Sequence, residues 1–347
     1  MDPLTHLLTG ACIARTGLNR KSALATTVIV LAAEAPDLDI FAYLGGPVAG
    51  FAHHRGITHT FLGVPLVAAA VLGFVWLLYR WRIKRGWAPK ASAPPVRWRL
   101  LYGFACLAVL SHILLDFTNQ YGVRPFAPFS YRWYSWDIVA IVEPLLLVIL
   151  AGGLLLPLLF RLINEEVGAR SKGPHGRAGA VVALLLVCGV WWFRDLQHRR
   201  ALSALQAQTY LDADPERVSA YPYNIDPVAW YGVAETKTAF AGMNVNSSSG
   251  EVDRERRMRI RYKPQETPVT LAAKQSAMGR VYLDWAAYPY LEVEKLPPPQ
   301  GGYLVRLYDL RYYYPESSDP PLTATIELDD QLRVRRQGMG RWMQPAD

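Results

Sequence analysis

The sequence predicts an α-helical polytopic membrane domain of about six helices, followed by a small, mainly antiparallel β domain. Three observations carry this expectation. Long apolar runs fill the chain as far as about Arg199, and polar sequence rich in Tyr and Pro follows. Four of the runs, near 61–81, 99–117, 138–160 and 178–195, approach or exceed the roughly 20 apolar residues that a spanning helix needs. Beyond about residue 221, stretches such as RMRIRYKP and YLVRLYDLRYYY alternate apolar and polar residues, which is the strand pattern. The expected division is 1–198 for a helical transmembrane domain and 199–347 for a soluble, non-cytoplasmic domain.

Two shorter apolar runs, about 3–17 and 22–36, come first and complete the six. The formal charge is +8 and the pI about 9.3, while mean hydropathy is only +0.08. Arg80, Arg82, Lys84, Arg85, Lys90, Arg97 and Arg99 cluster between two apolar runs. Such a cluster reads as a cytoplasmic loop more than as a nucleic-acid surface. The basic stretches near Arg15–Lys21 and Arg161–Arg177 fall on the same side under the same rule. The N-terminus and everything after Arg199 are then non-cytoplasmic. MDPLTHLLTG has no basic start and does not resemble a cleaved signal peptide. Cys12, Cys106 and Cys188 lie in apolar runs without CxxC spacing and read as small buried hydrophobes.

After the last apolar run, LQHRRALSALQAQTYL continues as an amphipathic helix to about Leu211. RMRIRYKP, GRVYLDW, YLVRLYDLRYYY and LTATIELDDQLRVRRQ read as strands, with LDDQL as a hairpin turn. NVNSSSGEVD reads as a flexible loop and KLPPPQGG as a turn or stiff connector.

On this topology five of the seven histidines gather at one membrane face: His6, His53, His54, His59 and His112. Asp2, Asp37, Asp39, Asp116, Asp137 and Glu143 gather with them. Asp2 and His6 are four residues apart on one helical face, as are His112 and Asp116. Ionisable groups at membrane depth are costly and usually mark a functional site. Imidazole and carboxylate together suit Zn, with Mn and Fe as alternatives. The number of donors would serve one to three ions, or one ion with carboxylates orienting its imidazoles. Arg55 could hold a phosphate or a developing oxyanion through paired N–H groups. A spare carboxylate such as Asp39 could take a proton from water. Each piece also has a bland reading. HxxxD recurs by chance, APDLD can be a helix stop, Thr58 can be a cap, and Glu143 can pair with a cation such as Arg132.

PLTHLLTG (3–10), APDLD (35–39), HHRGITHT (53–60) and SHILLDF (111–117) together resemble the YdjM-like, LexA-regulated membrane-bound metal-dependent hydrolases. YPYNIDPVAWYGVAET (221–236) is similar to the entry to the C-terminal domain of longer members. The resemblance implies an integral protein of the bacterial cytoplasmic (inner) membrane. It also implies a metal-dependent hydrolase whose metal set includes His6, Asp37, His54, His59, His112 and Asp116. Asp39 and Arg55 are the catalytic candidates. Asp2, His53, Asp137 and Glu143 are further candidates. The family motif has one histidine before the arginine, which matches His54 better than His53.

The expected function is hydrolysis of a phosphoester or lipid-linked substrate at the outer membrane face. The expected partners are the lipid bilayer and such a substrate, with no nucleic acid and no protein partner inferred. The second reading is a non-catalytic metal-binding or metal-transporting membrane protein, whose sites tend to lie in broken helices at the midplane. A histidine-box di-iron enzyme would need about eight histidine ligands, more than the seven histidines present.

Overall fold

The computed structural model describes residues 1–88, 93–166, 176–253, 256–314 and 320–345. Lys90, noted above, lies outside the described residues, as do residues 167–175 of the basic stretch Arg161–Arg177. The chain forms two compact units: residues 1–38 with 55–195, and residues 39–54 with 196–347.

The helices of the first half are α1 (Pro3–Arg15), α2 (Ala25–Glu34), α3 (Pro47–His53), α4 (Gly63–Lys84), α5 (Trp98–Phe117), α6 (Pro144–Glu166) and α7 (Arg177–Gln206). Asp2 caps α1 by accepting from the Thr5 N–H at 3.0 Å, and Pro3 follows in the first turn, where its fixed φ suits a helix start. Among the described residues, four helices are long and apolar enough to cross a membrane: α4, α5, α6 over Pro144–Ile163, and α7. This corrects the expectation of about six spans. α1 has 13 residues and α2 has 10, or about 20 and 15 Å of helix against a hydrocarbon core of about 30 Å. Both runs are apolar, but punctuation shortens them. Gly17 at φ +124° follows α1, and α2 gives way at Ala35 to a 3-10 helix, Ala35–Gly45, that contains Pro36.

In the first unit α1 packs on α2 and α6, and α5 packs on α2 and α4. Val28, Ile29 and Ala32 of α2 meet Ala105, Ala108 and Val109 of α5 in one core. A second core joins Cys12, Leu146, Leu150, Ala180 and Ala183. Glycines let α6 and α7 approach: a Cβ on Gly153 would lie 2.4 Å from that of Ala183. All three cysteines are free, and only Cys12 is fully buried; Cys188 is exposed on α7.

The second unit is more than a small β domain. Among the described residues, ten strands form two five-stranded antiparallel sheets. The first contains β1 (Arg217–Pro222), β2 (Ala229–Glu235), β3 (Ala239–Asn246), β4 (Glu251–Val252) and β5 (Arg259–Tyr262). Its order is β1-β2-β3, with β4 and β5 both pairing with β3. The second holds β6 (Pro289–Lys295), β7 (Tyr303–Asp309), β8 (Ala324–Leu328), β9 (Val334–Met339) and β10 (Trp342–Pro345), paired in sequence order. Two short helices, α8 (Pro268–Gln275) and α9 (Ala277–Trp285), separate the sheets in sequence.

Two local expectations are corrected. GRVYLDW is not a strand; it lies in α9, which Ser276 caps by accepting from the Gly279 N–H. Its apolar residues Met278, Tyr282 and Trp285 recur at helical spacing and are buried. NVNSSSGEVD is not a loop throughout: its ends pair as β3 and β4 around a turn. LDDQL does form the hairpin turn between β8 and β9, where Asp329 Oδ1 accepts from the N–H groups of Gln331 and Arg333.

Period-two alternation decides both faces of β2. Trp230 and Ala234 join Ala201 and Leu205 of α7 in one core. Tyr231 and Val233 join Tyr288, Tyr308 and Leu310 in another. Gly232 leaves room for Leu205, whose Cδ2 would lie 2.7 Å from an added Cβ. Segment 39–54 belongs to this unit through α3, where Phe51 stacks on Tyr282 at 5.8 Å and meets Trp285 edge-on at 5.3 Å.

Trp230 is fully buried, and its indole N–H donates to Ser247 Oγ at 3.2 Å. Trp230→Ala should cost the second unit about 3–5 kcal/mol. Ile225→Ala, at a side chain 89% exposed, should stay within about 0.5 kcal/mol. Chemical denaturation of the detergent-purified full chain, followed by circular dichroism, measures both.

Candidate metal centre

Four side chains from distant segments converge in the first unit. Asp37 follows α2, His59 lies in a short 3-10 turn (Ile57–His59), and His112 and Asp116 share one face of α5. One ligand atom from each lies within 4.8 Å of every other. His59 Nε2 and His112 Nε2 are 3.1 Å apart. Asp37 Oδ1 is 3.5 Å from the first and 3.4 Å from the second. Asp116 Oδ2 is 3.2 Å and 3.4 Å from the same two nitrogens. A tetrahedral shell with bonds of about 2.0–2.1 Å has donor-to-donor edges of about 3.3–3.5 Å. Five of the six edges are thus given by these distances, and all five lie close to that range.

The surroundings aim these atoms. His112 Nδ1 donates to the Ala33 carbonyl at 2.6 Å, so a neutral ring presents the Nε2 lone pair to the cluster. His59 Nδ1 lies 3.0 Å from Thr58 Oγ1, which leaves its Nε2 facing inward. Thr60 supports this turn, its hydroxyl accepting from the Gly63 N–H at 2.8 Å as α4 begins. Two inward lone pairs about 3 Å apart repel unless a proton or a cation lies between them.

Arg55 does a different job from the one its sequence position implied. Its side chain is buried, its Nη2 donates to Asp116 Oδ1 at 2.6 Å, and its Nη1 donates to the Gly122 carbonyl at 2.7 Å. It also lies over the Tyr121 ring at 4.6 Å. The guanidinium is therefore turned toward protein acceptors and fixes Asp116. Its backbone is left-handed, at φ +52°, a conformation that a non-glycine residue adopts at some cost. Asn119 Nδ2 lies 3.4 Å from the same carboxylate oxygen, and the α-amino group of Met1 contacts it too. Asn119 carried no motif, and its role arises from the turn after α5.

Asp37 is the one member of the four with an exposed side chain, 24% against 0% for the others. Burial alone would raise its pKa, but where His112 and His59 are protonated their Nε2 hydrogen bonds and the His112 charge hold it well below the usual carboxylate range.

The other candidates fall as follows. His6 is buried, its ring stacked on His112 at 3.7 Å, and its Nε2 lies 3.5 Å from Asp116 Oδ1. Neither of its ring nitrogens makes a hydrogen bond. Asp2 is turned to its helix, accepting from the Thr5 N–H and, at 2.6 Å, from the Thr5 hydroxyl. Glu143 pairs with Arg194 of α7 at 3.0 Å, not with Arg132. Asp137 lies between α5 and α6 in a left-handed conformation. Asp39 and His54 belong to the second unit and pair with each other, Oδ1 to Nδ1, at 3.1 Å. His53 ends α3 in the same unit and is exposed. One residue outside the candidate set bears on the cluster's setting: Glu34, the last residue of α2, has a buried Oε1 without a hydrogen-bond partner.

The donor set fits a divalent ion of the Zn, Mn or Fe kind. Two carboxylates and two imidazoles would form its shell, and His6, buried with no hydrogen bond to its nitrogens, stands beside them.

Two substitutions separate the roles described here. Arg55→Met leaves the Asp116 charge buried and short of its main partner, and should cost about 3–5 kcal/mol. Asp2→Ala removes a helix cap and should cost about 1 kcal/mol while metal content stays unchanged. Thermal melting of the purified chain, paired with elemental analysis, measures both effects.

Residues 1–199 match the family model described as YdjM inner membrane protein. Over 352 aligned residues the chain is 24% identical to "Uncharacterized protein YfhP" of Bacillus subtilis (strain 168), covering 98% of this chain and 95% of that protein. No solved structure matches. The family match spans more than half of the chain and contains the whole Asp37–His59–His112–Asp116 cluster, so this chain belongs to the YdjM inner membrane protein family.

Proposed function

We propose that this protein is a membrane-embedded, metal-dependent hydrolase acting on a phosphoester or other lipid-linked bond. The single observation that carries the proposal is the near-tetrahedral set of Asp37, His59, His112 and Asp116, whose ligand atoms all lie within 4.8 Å of one another. When bound, a divalent ion would supply Lewis acidity toward an ester oxygen and lower the pKa of a water. The protein's own groups do the rest. Arg55 and Asn119 hold Asp116 still, and the Ala33 carbonyl fixes the tautomer of His112. Asp37 stands at the partly exposed side of the cluster, where an incoming water would meet it.

A lipid-linked substrate is supported by the side chains beside the ligands. Leu38 is 59% exposed next to Asp37, and Ile57 and Phe61 are more than half exposed on either side of His59. An apolar rim favours approach from the bilayer over approach from bulk water. The basic residues of the α4–α5 connection favour a cytoplasmic placement for that end, which puts the second unit on the non-cytoplasmic side.

The purified protein should carry a divalent metal, and His59→Ala and His112→Ala should each lose most of it. Chelation should abolish cleavage of phosphoesters, tested with both soluble and lipid-embedded substrates, and added Zn or Mn should restore it. Full metal content in both variants would remove the site. Bound metal with no turnover on any ester would leave a non-catalytic metal protein. A periplasm-dependent reporter fused after Asp347 should be active, and cytoplasmic activity would reverse the orientation.

A further inference from the structure

The connection between α4 and α5 carries a second surface, unrelated to the metal cluster. From Ile40 to Leu115 the sequence contains no Asp or Glu. Six exposed cations nevertheless stand at this end of the two helices: Arg80, Arg82, Lys84 and Arg85 on α4, and Arg97 and Arg99 on α5. Among the described residues none of the six forms an ion pair.

Their arrangement is built, not loose. Arg80 lies over Trp76 at 5.5 Å, Arg82 over Trp87 at 4.8 Å, and Arg85 over Trp81 at 4.8 Å. The end of α4 closes with the N–H of Trp87 donating to the Arg82 carbonyl and that of Gly86 to the Ile83 carbonyl. Gly86 is left-handed at φ +82°, so this is a Schellman ending, which folds the chain back. That turn is what brings Trp87 beneath Arg82. Tyr79 then meets both Trp87 and Trp98 edge-on, at 6.2 and 5.8 Å, and links the two helices.

Two ordinary explanations cover only part of this. Cations at a helix C-terminus complement its dipole, which accounts for Lys84 and Arg85. Arg97 and Arg99 sit at the opposite pole, the start of α5, where the same dipole opposes them. The bias of basic residues toward the cytoplasm accounts for their number but does not require three of the guanidinium groups, those of Arg80, Arg82 and Arg85, to lie on indoles. Trp76, Trp81 and Trp87 are themselves exposed, as side chains of the membrane–water boundary are. Stacked guanidinium groups keep their N–H edges free for oxyanions.

We propose that this end of the α4–α5 hairpin binds the phosphate headgroups of anionic glycerophospholipids in the leaflet that meets it. The indoles set the depth of the site, and the stacked arginines present the donors. Charge complementarity selects the ligand: a dense cationic patch with no internal acid, placed at the end of two membrane helices, meets anionic headgroups first.

The test uses the full-length protein extracted from vesicles containing equal parts phosphatidylglycerol and phosphatidylcholine, with the retained lipid measured by mass spectrometry. The wild type should retain phosphatidylglycerol in several-fold excess, and high salt should reduce that excess. R82Q/K84Q/R85Q should bring the ratio close to one while its melting temperature in phosphatidylcholine alone stays at the wild-type value. Should that variant fail to fold, R97Q/R99Q is measured in its place and should lower the excess in the same direction. An unselective wild type, or a folded variant with the wild-type excess, overturns the proposal.

Discussion

Asp116 is a carboxylate with no exposed side-chain surface, set at the end of a helix that is otherwise apolar. A lone charge in that position would be costly, and it persists only with partners. Its partners come from the whole length of the first unit: Arg55, His59, His112 and Asn119, with His6 just beyond hydrogen-bond distance. Each lies on a different piece of chain or a different turn of α5. The requirement to surround this one group explains why the segments meet where they do.

The same requirement accounts for the two short helices. α1 and α2 are apolar and buried among longer neighbours, yet neither is long enough to cross a bilayer. They have no need to cross. α1 delivers His6 two turns or fewer from its capped start, and α2 ends just before Asp37. The tight connection through Pro36 converts the end of a helix into the exposed corner of the cluster. Glu143 and Arg194 form a separate buried pair, which ties the start of α6 to α7 and leaves Glu143 unavailable to the cluster.

The second unit is organised by different physics. Alternation along β2 sends Trp230 toward α7 and Tyr231 toward the tyrosine-rich core. Arg261 lies 4.2 Å over Tyr313 and 5.6 Å over Tyr308, so cation–π contacts extend that aromatic layer to the edge strand β5. Asp309 and Arg311, paired at 2.9 Å and buried, close the turn after β7 and hold the Ala287 N–H on α9's exit.

Much of this was legible in the sequence, because it depends on local periodicity. Four of the six expected spanning runs and a β-rich second half follow from apolar length and alternation, and Asp37, His59, His112 and Asp116 were read from spacing and resemblance within a wider donor set that also held His6 and His54. Capping of α1 by Asp2 is equally local, but the spacing to His6 had put Asp2 among the further site candidates. What the sequence could not decide was which polar atoms reach one another across segments. Arg55 became the anchor of Asp116 because the turn after α5 places the Gly122 carbonyl and Asn119 around its guanidinium. Glu143 took Arg194 over Arg132 because α7 packs beside α6. GRVYLDW became a helix because Ser276 caps it and its apolar residues bury at helical spacing. Periodicity is a property of neighbours in the chain, whereas partner choice for a buried charge is settled by distance in three dimensions, and only the folded packing fixes those distances.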